Sequence, residues 1–189
     1  MGQYYKGVIL PKDYRENVQA VAEVAETAWD WQNGAKLMEH SYINNEYVQM
    51  YVSLLANQFN GYPFVWCGDY ADDIRCHIEG KTQSVIDEEY EDELIPYTFK
   101  PKTKVKGVPT VNIRYVYNYD TKEYVDLETV EGDIHPLPLL TCSGNGRGGG
   151  DYWGQDNKNV GRWAYNHIGA GNEIPEGFTE LKTKFKEED

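Results

Sequence analysis

The sequence predicts an α+β protein whose sheet is mainly antiparallel, with two helices in its N-terminal third. Apolar residues alternate at period two over residues 111–119 and 123–127, on either side of a polar turn, which is the pattern of a β-hairpin. Apolar residues recur at helical spacing nearer the N-terminus. No linker separates two apolar regions, so we expect residues 1–180 to form one domain.

The N-terminal third is predicted to hold one strand followed by the two helices. Residues 4–10 form the strand, since they are apolar and aromatic and are followed by a proline. A first helix is predicted over residues 13–33, beginning with the D-x-x-E spacing of a capping box. A second helix is expected to begin at Asn44 or Asn45 and to end at Asn60, before a glycine.

Shorter elements are predicted in the rest of the chain. Residues 64–67 read as a buried strand and residues 160–165 as the last strand. The apolar run 137–140 contains a proline, which limits it to a sheet edge or a strand entrance. The charged residues 181–189 are expected to fray. Three side chains are predicted to lie in the core: Trp66, Leu139 and Trp163.

Composition excludes several classes of protein. The chain has 189 residues with 31 acidic and 18 basic side chains, a formal net charge of −13. Such acidity argues against direct nucleic-acid binding by the whole chain and against a polybasic membrane-surface protein. No apolar run is long enough to cross a bilayer, no signal peptide is evident, and the 3 cysteines form no CxxC pair. We therefore expect a reduced, cytoplasmic protein without a cofactor, whose oligomeric state the sequence leaves open.

Charge is distributed unevenly along the chain. Residues 69–93 carry ten acidic and two basic side chains, whereas residues 94–114 carry five basic side chains and no acidic one. One interpretation is a solvated acidic loop followed by a lysine-rich edge strand. The other is that residues 79–93 dock on a basic host protein, as in a protein–protein inhibitor.

A glycine-rich loop, residues 144–154, is the most unusual stretch of the sequence. Dense glycines let backbone N–H groups converge on an anion, and an arginine within the loop adds a bidentate clamp. The stretch lacks the GK[ST] ending of a P-loop, so a loop that merely bends remains the alternative. The predicted ligand-binding residues here are Asn145, Gly146, Arg147, Gly148, Gly149, Asp151, Tyr152 and Trp153.

Acidic and histidine side chains are weaker candidates for ligand binding or for a metal site. Glu39, His40 and His135 are added to the predicted ligand-binding set, because imidazole and carboxylate suit polar contacts or acid–base work. Asp69 and Asp72 follow a buried strand and are weak candidates for a metal site, although their spacing does not match a calcium loop. A capping or turn role for Asp69 is the alternative interpretation, and the one we favour.

Six segments together resemble a set of small proteins encoded by bacteriophages and prophages. The segments are GQYYK (2–6), KLMEHSY (36–42), GDYAD (68–72), YDTKEYVD (119–126), HPLPLLT (135–141) and GNGRGGGDY (144–152). The resemblance implies a phage origin and a site of action in the host cytoplasm. Relative to that set of proteins, the charged segment 79–107 resembles an insertion. It carries over no activity and no catalytic residue.

Taken with the residues, this origin leads to a first hypothesis of a non-catalytic accessory protein. It would bind a phosphorylated or nucleotide-like ligand at the glycine-rich loop, in a role such as counter-defence. An acidic inhibitor of a host protein, acting through residues 79–93, is the second hypothesis. A metal-dependent hydrolase is the third, and a minor virion component the fourth.

Overall fold

A seven-stranded mixed sheet, with helix α2 packed against it, forms the framework of the protein. The computed structural model describes residues 2–10, 12, 25–26, 36–68, 103–104, 112–146 and 148–186. The helices are α1 (Leu37–His40), α2 (Glu46–Ala56) and α3 (Pro136–Thr141). The strands are β1 (Tyr5–Ile9), β2 (Ala25–Glu26), β3 (Tyr62–Gly68), β4 (Thr103–Lys104), β5 (Tyr115–Asn118), β6 (Glu123–Asp126), β7 (Cys142–Ser143), β8 (His167–Gly171) and β9 (Thr179–Glu180).

The strands follow the spatial order β1-β3-β8-β5-β6-β9, and β7 lies beside β3. All pairs along this path are antiparallel except β6–β9, and β3–β7 is also parallel. Strands β2 and β4 form a separate parallel pair. The predicted class, α+β with a mainly antiparallel sheet, is confirmed.

Helix α2 begins where the sequence predicted and ends earlier. The Asn45 side chain caps it by accepting a hydrogen bond from the Tyr47 backbone N–H at 2.9 Å. The helix ends at Ala56, and Asn57 closes it by donating its backbone N–H to the Leu54 carbonyl. Residues 57–61 then form turns, so the predicted end at Asn60 was too late.

Tyr51 on α2 joins the helix to the sheet. Its ring centroid lies 5.2 Å from that of Trp66 and 5.6 Å from that of Phe64, both on β3 and both fully buried. Its hydroxyl donates to the Gly7 carbonyl on β1 at 2.5 Å. The ring thus packs on two neighbouring strands, and only a residue without a side chain at position 7 leaves room for it. The core predictions Trp66, Leu139 and Trp163 are confirmed, since all three are 0% exposed.

The predicted hairpin is confirmed in shorter form, as β5 and β6 in antiparallel register. The Asn118 side-chain carbonyl accepts the backbone N–H of Asp120 at 2.9 Å, which fixes the start of the turn. Lys122 completes the turn at a φ of 53°.

Two predictions for the C-terminal half are wrong. Residues 137–140 lie in helix α3 and not in a strand, because prolines at the start of a helix lose no hydrogen bond. Residues 160–165 form turns, since Gly161 and Tyr165 both adopt positive φ, which an extended strand does not accommodate. The last strands are β8 and β9.

The C-terminal residues 181–186 include two buried side chains. Phe185 is 0% exposed and Thr183 is 8% exposed. The sequence did not predict this burial, because the lysines that alternate with Thr183 and Phe185 make the whole segment appear charged and exposed. Residues 187–189 lie outside the described residues.

The first predicted helix, residues 13–33, lies almost entirely outside the described residues. Its two described residues form strand β2, which pairs with β4, so the helical prediction is wrong there.

Replacing Gly7 with alanine is expected to destabilise the fold. A Cβ at this position would lie 2.5 Å from Tyr51 Cζ, so the ring or strand β1 must shift. We expect a loss of about 1–3 kcal/mol of unfolding free energy in urea denaturation, the usual effect of overpacking. Gly149→Ala is the control, because its Cβ would come no closer than 3.8 Å to another residue. Equal stability of the two variants would contradict the proposed role of Gly7.

Candidate functional site

Neighbouring segments hold the glycine-rich loop at two points. Gln3 donates its backbone N–H to the Gly149 carbonyl at 3.0 Å, next to an isolated bridge between Gly2 and Gly149. Met38 on α1 donates its N–H to the Gly150 carbonyl, also at 3.0 Å. The start of the chain and helix α1 therefore fix the loop from outside it.

Asp151 fixes the same loop from inside. The residue is 1% exposed, and its Oδ2 accepts the backbone N–H groups of Gly146 and Gly148, each at 2.8 Å. Its Oδ1 accepts the Tyr5 hydroxyl at 2.6 Å. The sequence correctly indicated converging N–H groups around an anion, and in the structure the protein's own carboxylate is that anion. Asp151 thus has a structural role, and the N–H groups of Gly146 and Gly148 are already bonded.

Close packing accounts for several of the glycines. A Cβ on Gly148 would lie 2.7 Å from the Gln3 backbone nitrogen, and one on Gly154 would lie 2.1 Å from the Lys186 carbonyl oxygen. Gly150 combines a φ of +85° with side-chain atoms of Lys36 at 2.7 Å from such a Cβ. These positions need glycine for steric reasons, with no ligand required.

Asn145 and Tyr152 hold each other across the loop. The Asn145 side chain accepts the Tyr152 backbone N–H at 2.8 Å and donates to the Tyr152 carbonyl at 3.2 Å. The Tyr152 side chain is 0% exposed, with its ring edge-on to Phe185 at 5.7 Å. Both residues build the loop, and Tyr152 presents no surface to a ligand here.

Trp153 differs from its neighbours because it is 64% exposed, the largest exposed fraction among the large hydrophobic residues of the described chain. It lies on the wall of a groove of about 610 Å³, which we name the Trp153 groove. The described residues that line the groove carry no charged side chain. They are Cys142, Ser143, Gly144, Asn145, Gly146, Trp153, Asn157, Val160, Gly161, Ala164 and Tyr165.

Tyr165 is a groove residue that sequence reasoning missed. It is 2% exposed, adopts a φ of 65°, and donates its hydroxyl to Ser143 Oγ at 3.3 Å. A non-glycine residue with positive φ costs energy and is found preferentially at functional sites. No local sequence signal marks it, because the conformation is set by tertiary hydrogen bonds such as that from Tyr165 N–H to the Phe64 carbonyl.

Cys142 also lines the groove, and it is not a nucleophile. Burial raises the pKa of its thiol far above the ordinary value, with the nearby Asp151 charge acting in the same direction. The thiol, within 3.4 Å of the Leu139 carbonyl, therefore stays protonated. Cys67 is likewise a buried free thiol.

The predicted Glu39, His40 and His135 do not line the groove. Glu39 pairs with Lys36 at 2.8 Å on the surface, and His40 Nδ1 accepts the Lys36 backbone N–H at 3.0 Å. His135 is fully buried and caps α3, its Nδ1 accepting the Leu137 backbone N–H at 3.0 Å. Burial lowers the pKa of His135 to about 3, so the imidazole is neutral. In the structure these residues have local roles.

Several sequence predictions fall outside the described residues. These are Arg147, Asp69, Asp72 and the acidic segment 79–93. Within the part of the chain that is described, no three histidine, cysteine or acidic side chains are placed to hold a metal ion. No helix among the described residues is long and apolar enough to cross a membrane.

Comparisons with models of protein families, with curated proteins and with solved structures find no match to this chain. The geometry of the chain itself is therefore the basis for assigning a function.

Replacing Asp151 with asparagine is expected to destabilise the protein by about 1.5–3 kcal/mol, the range for buried hydrogen bonds to a charged group. The amide keeps the shape of the carboxylate and loses its charge, and it cannot accept all three hydrogen bonds. Urea denaturation of Asp151→Asn measures the loss, with Asp133→Asn at an exposed position as the control. Wild-type stability in Asp151→Asn would exclude Asp151 as the residue that fixes the loop.

His135 is expected to make the fold sensitive to acid. Its pKa falls from 6.5 to about 3 on burial, so below pH 6.5 the unfolded chain binds a proton that the folded chain does not. The stability that the neutral imidazole contributes is lost as the pH falls from about 6.5 to about 3, by up to ~1.4 kcal/mol per pH unit.

The variant His135→Asn retains a side-chain acceptor for the helix cap and has no titrating group. Urea denaturation of both proteins at several pH values between 6.5 and 3 should show a steeper fall for the wild type. Parallel stability profiles for the two proteins would mean that His135 does not titrate in this range when the chain unfolds.

Proposed function

We propose that the protein binds a planar, nucleotide-like ligand in the Trp153 groove, without catalysis. The observation that carries this proposal is the exposure of Trp153 next to loop residues that are buried and hydrogen-bonded. An indole that is 64% exposed gains little from folding, whereas the adjoining Asp151 and Tyr152 are buried and hydrogen-bonded.

The fixed loop favours stacking on the indole. Stacking of a base on an aromatic side chain contributes roughly 1–3 kcal/mol per base. A ring held in place by its neighbours loses little further entropy when a ligand packs on it, so more of this energy appears as affinity. The hydrogen bonds of Asn145 to Tyr152 supply such support one residue from Trp153.

The size and chemistry of the groove suit a ring with polar edges. A volume of about 610 Å³ lies within the range of small-molecule sites. Among the described lining residues Ser143 and Asn157 are polar, and Val160 and Ala164 are apolar. Because none of the described lining residues is charged, this lining favours the base or another heteroaromatic ring over the phosphate as the group held in the groove.

The phosphate of the ligand is expected to contribute less to binding than its ring. Because Asp151 already accepts the N–H groups of Gly146 and Gly148, these groups do not serve a ligand phosphate without a rearrangement. Arg147, between those two glycines in the sequence, is the proposed phosphate contact.

The proposal extends to the setting in which the protein acts. The resemblance to phage and prophage proteins suggests an accessory factor in the host cytoplasm. A non-catalytic groove for a nucleotide-like ligand suits sequestration of a nucleotide signal, which is one way to counter a host defence.

Calorimetric titration of the protein with adenosine, AMP, a cyclic dinucleotide and inorganic phosphate tests the proposal. We expect binding of at least one base-containing compound, and a loss of roughly 5- to 150-fold in affinity in Trp153→Ala, matching the energy of one stacked base. Tyr42→Ala is the matched control, since Tyr42 is 47% exposed and does not line the groove. Arg147→Ala should weaken AMP binding and leave adenosine binding unchanged.

Two results would contradict the proposed function. One is that the wild-type protein binds none of the base-containing compounds. The other is that Trp153→Ala and Tyr42→Ala bind them equally well.

A further inference from the structure

The C-terminal residues 181–186, which we name the C-terminal strap, reach the loop that carries Trp153. The Tyr152 hydroxyl lies between two acceptors, the Gln155 carbonyl and, at 2.8 Å, the Lys186 carbonyl. The Gln155 backbone N–H donates to the Lys186 carbonyl at 3.0 Å. The Lys184 backbone N–H donates to Asp156 Oδ2 at 3.2 Å. These contacts hold the residues on both sides of Trp153.

Phe185 anchors the far end of the strap. It is 0% exposed, and its ring meets Tyr152 edge-on at 5.7 Å. Gly154 lies so close to the strap that a Cβ there would be 2.1 Å from the Lys186 carbonyl oxygen. The loop and the strap are therefore packed on each other without a gap.

A cavity lies beside the middle of the strap. The first strap residue, Leu181, donates its N–H to the Tyr124 carbonyl at 2.7 Å, where the β6–β9 ladder ends. Beyond that point a cavity of about 530 Å³ is lined by Val125 and Asp126 of β6 and by Lys182 and Thr183 of the strap, among others. The Thr183 hydroxyl is buried and has no hydrogen-bond partner among the described residues. Hydrogen bonds to residues outside the strap therefore come from Leu181 at its start and from Lys184 and Lys186 near its end.

Ion pairs contribute little to the docking of the strap. Lys184 and Lys186 reach Glu131 Oε2 at 2.9 and 3.9 Å, and all three side chains are largely in water. Exposed ion pairs of this kind contribute little net stability. Docking of the strap therefore depends mainly on Phe185 and on the hydrogen bonds to residues 152–156.

We propose that docking of the C-terminal strap sets the position of Trp153 and thereby controls binding in the Trp153 groove. When the strap is docked, Tyr152 and Gln155 are held and the indole stands on the groove wall. When Phe185 leaves its place, those hydrogen bonds are lost and the indole is no longer held there. Coupling between two binding events is reciprocal. A ligand stacked on Trp153 therefore stabilises the docked strap by the same free energy by which docking of the strap strengthens ligand binding. The coupling to ligand rests on the proposed function, whereas the positioning of Trp153 does not.

Two variants test the inference, and Ile174→Ala serves as their control. Phe185→Ala removes the anchor. Tyr152→Phe removes only the hydroxyl that reaches Gln155 and Lys186, and we expect it to keep the packed ring and the fold. Ile174 is a large apolar residue that lines the cavity and is 39% exposed.

The first measurement needs no ligand. Hydrogen exchange followed by NMR should show the Gln155 amide exchanging about fivefold faster in Tyr152→Phe, the change that corresponds to the loss of one hydrogen bond of roughly 1 kcal/mol, and faster still in Phe185→Ala. The Gly146 and Gly148 amides, which Asp151 holds, should exchange as in the wild type. The fluorescence of Trp153 is obtained as the difference between a protein and the same protein carrying Trp153→Phe. Acrylamide should quench this Trp153 fluorescence more strongly in Phe185→Ala than in the wild type.

The second measurement uses AMP as the probe. We expect Phe185→Ala and Tyr152→Phe to bind AMP more weakly than Ile174→Ala does, and saturating AMP to slow exchange of the Gln155 amide. Unchanged Gln155 exchange and Trp153 quenching in both variants would overturn the positioning role, whether or not AMP binds. Faster exchange together with wild-type AMP affinity would overturn the control of binding. Failure of the wild-type protein to bind AMP would count against the coupling to this ligand and leave the exchange result to decide the positioning role.

Discussion

The buried carboxylate of Asp151 is the contact on which the arrangement of the site depends. It joins the Tyr5 hydroxyl of strand β1 to the backbone N–H groups of Gly146 and Gly148. One side chain thereby ties the first strand of the sheet to a loop more than a hundred residues later in the sequence. Because an unpaired charge is costly in the interior, the three donors and the carboxylate require one another.

Close backbone approach is the second constraint. Gly7 admits the ring of Tyr51 against strand β1, and Gly148 admits the backbone of Gln3 against the glycine-rich loop. In each contact a neighbouring residue fills the space that a side chain at the glycine would occupy. The glycines therefore determine where these segments can pack together. Trp153 is the exception in this closely packed region, as its indole is mostly in water. That contrast is the basis of the proposed ligand site.

Local signals predicted the elements that form from local interactions. The Asn45 cap, the β5–β6 hairpin and the buried strand β3 follow from capping, turn and hydrophobic patterns that neighbouring residues contain. Predictions failed where distant residues decide the conformation. Tyr165 adopts a positive φ because it bonds to Phe64, and the charged strap packs because Phe185 meets Tyr152. The sequence indicated that N–H groups of the glycine-rich loop converge, but it did not indicate that Asp151 is the group that accepts them. Only the fold brings the Asp151 carboxylate to the N–H groups of Gly146 and Gly148.

The most direct test of the proposed site is an NMR titration of the labelled protein with AMP, observing the Trp153 indole N–H and the backbone amides. Binding in the Trp153 groove predicts concentration-dependent shifts at Trp153, Ser143, Gly146 and Asn157, with Glu39 and Tyr42 unchanged. Shifts confined to residues outside the groove, or no shift at Trp153 at AMP concentrations that saturate the protein, would contradict the assignment of this groove as the ligand site.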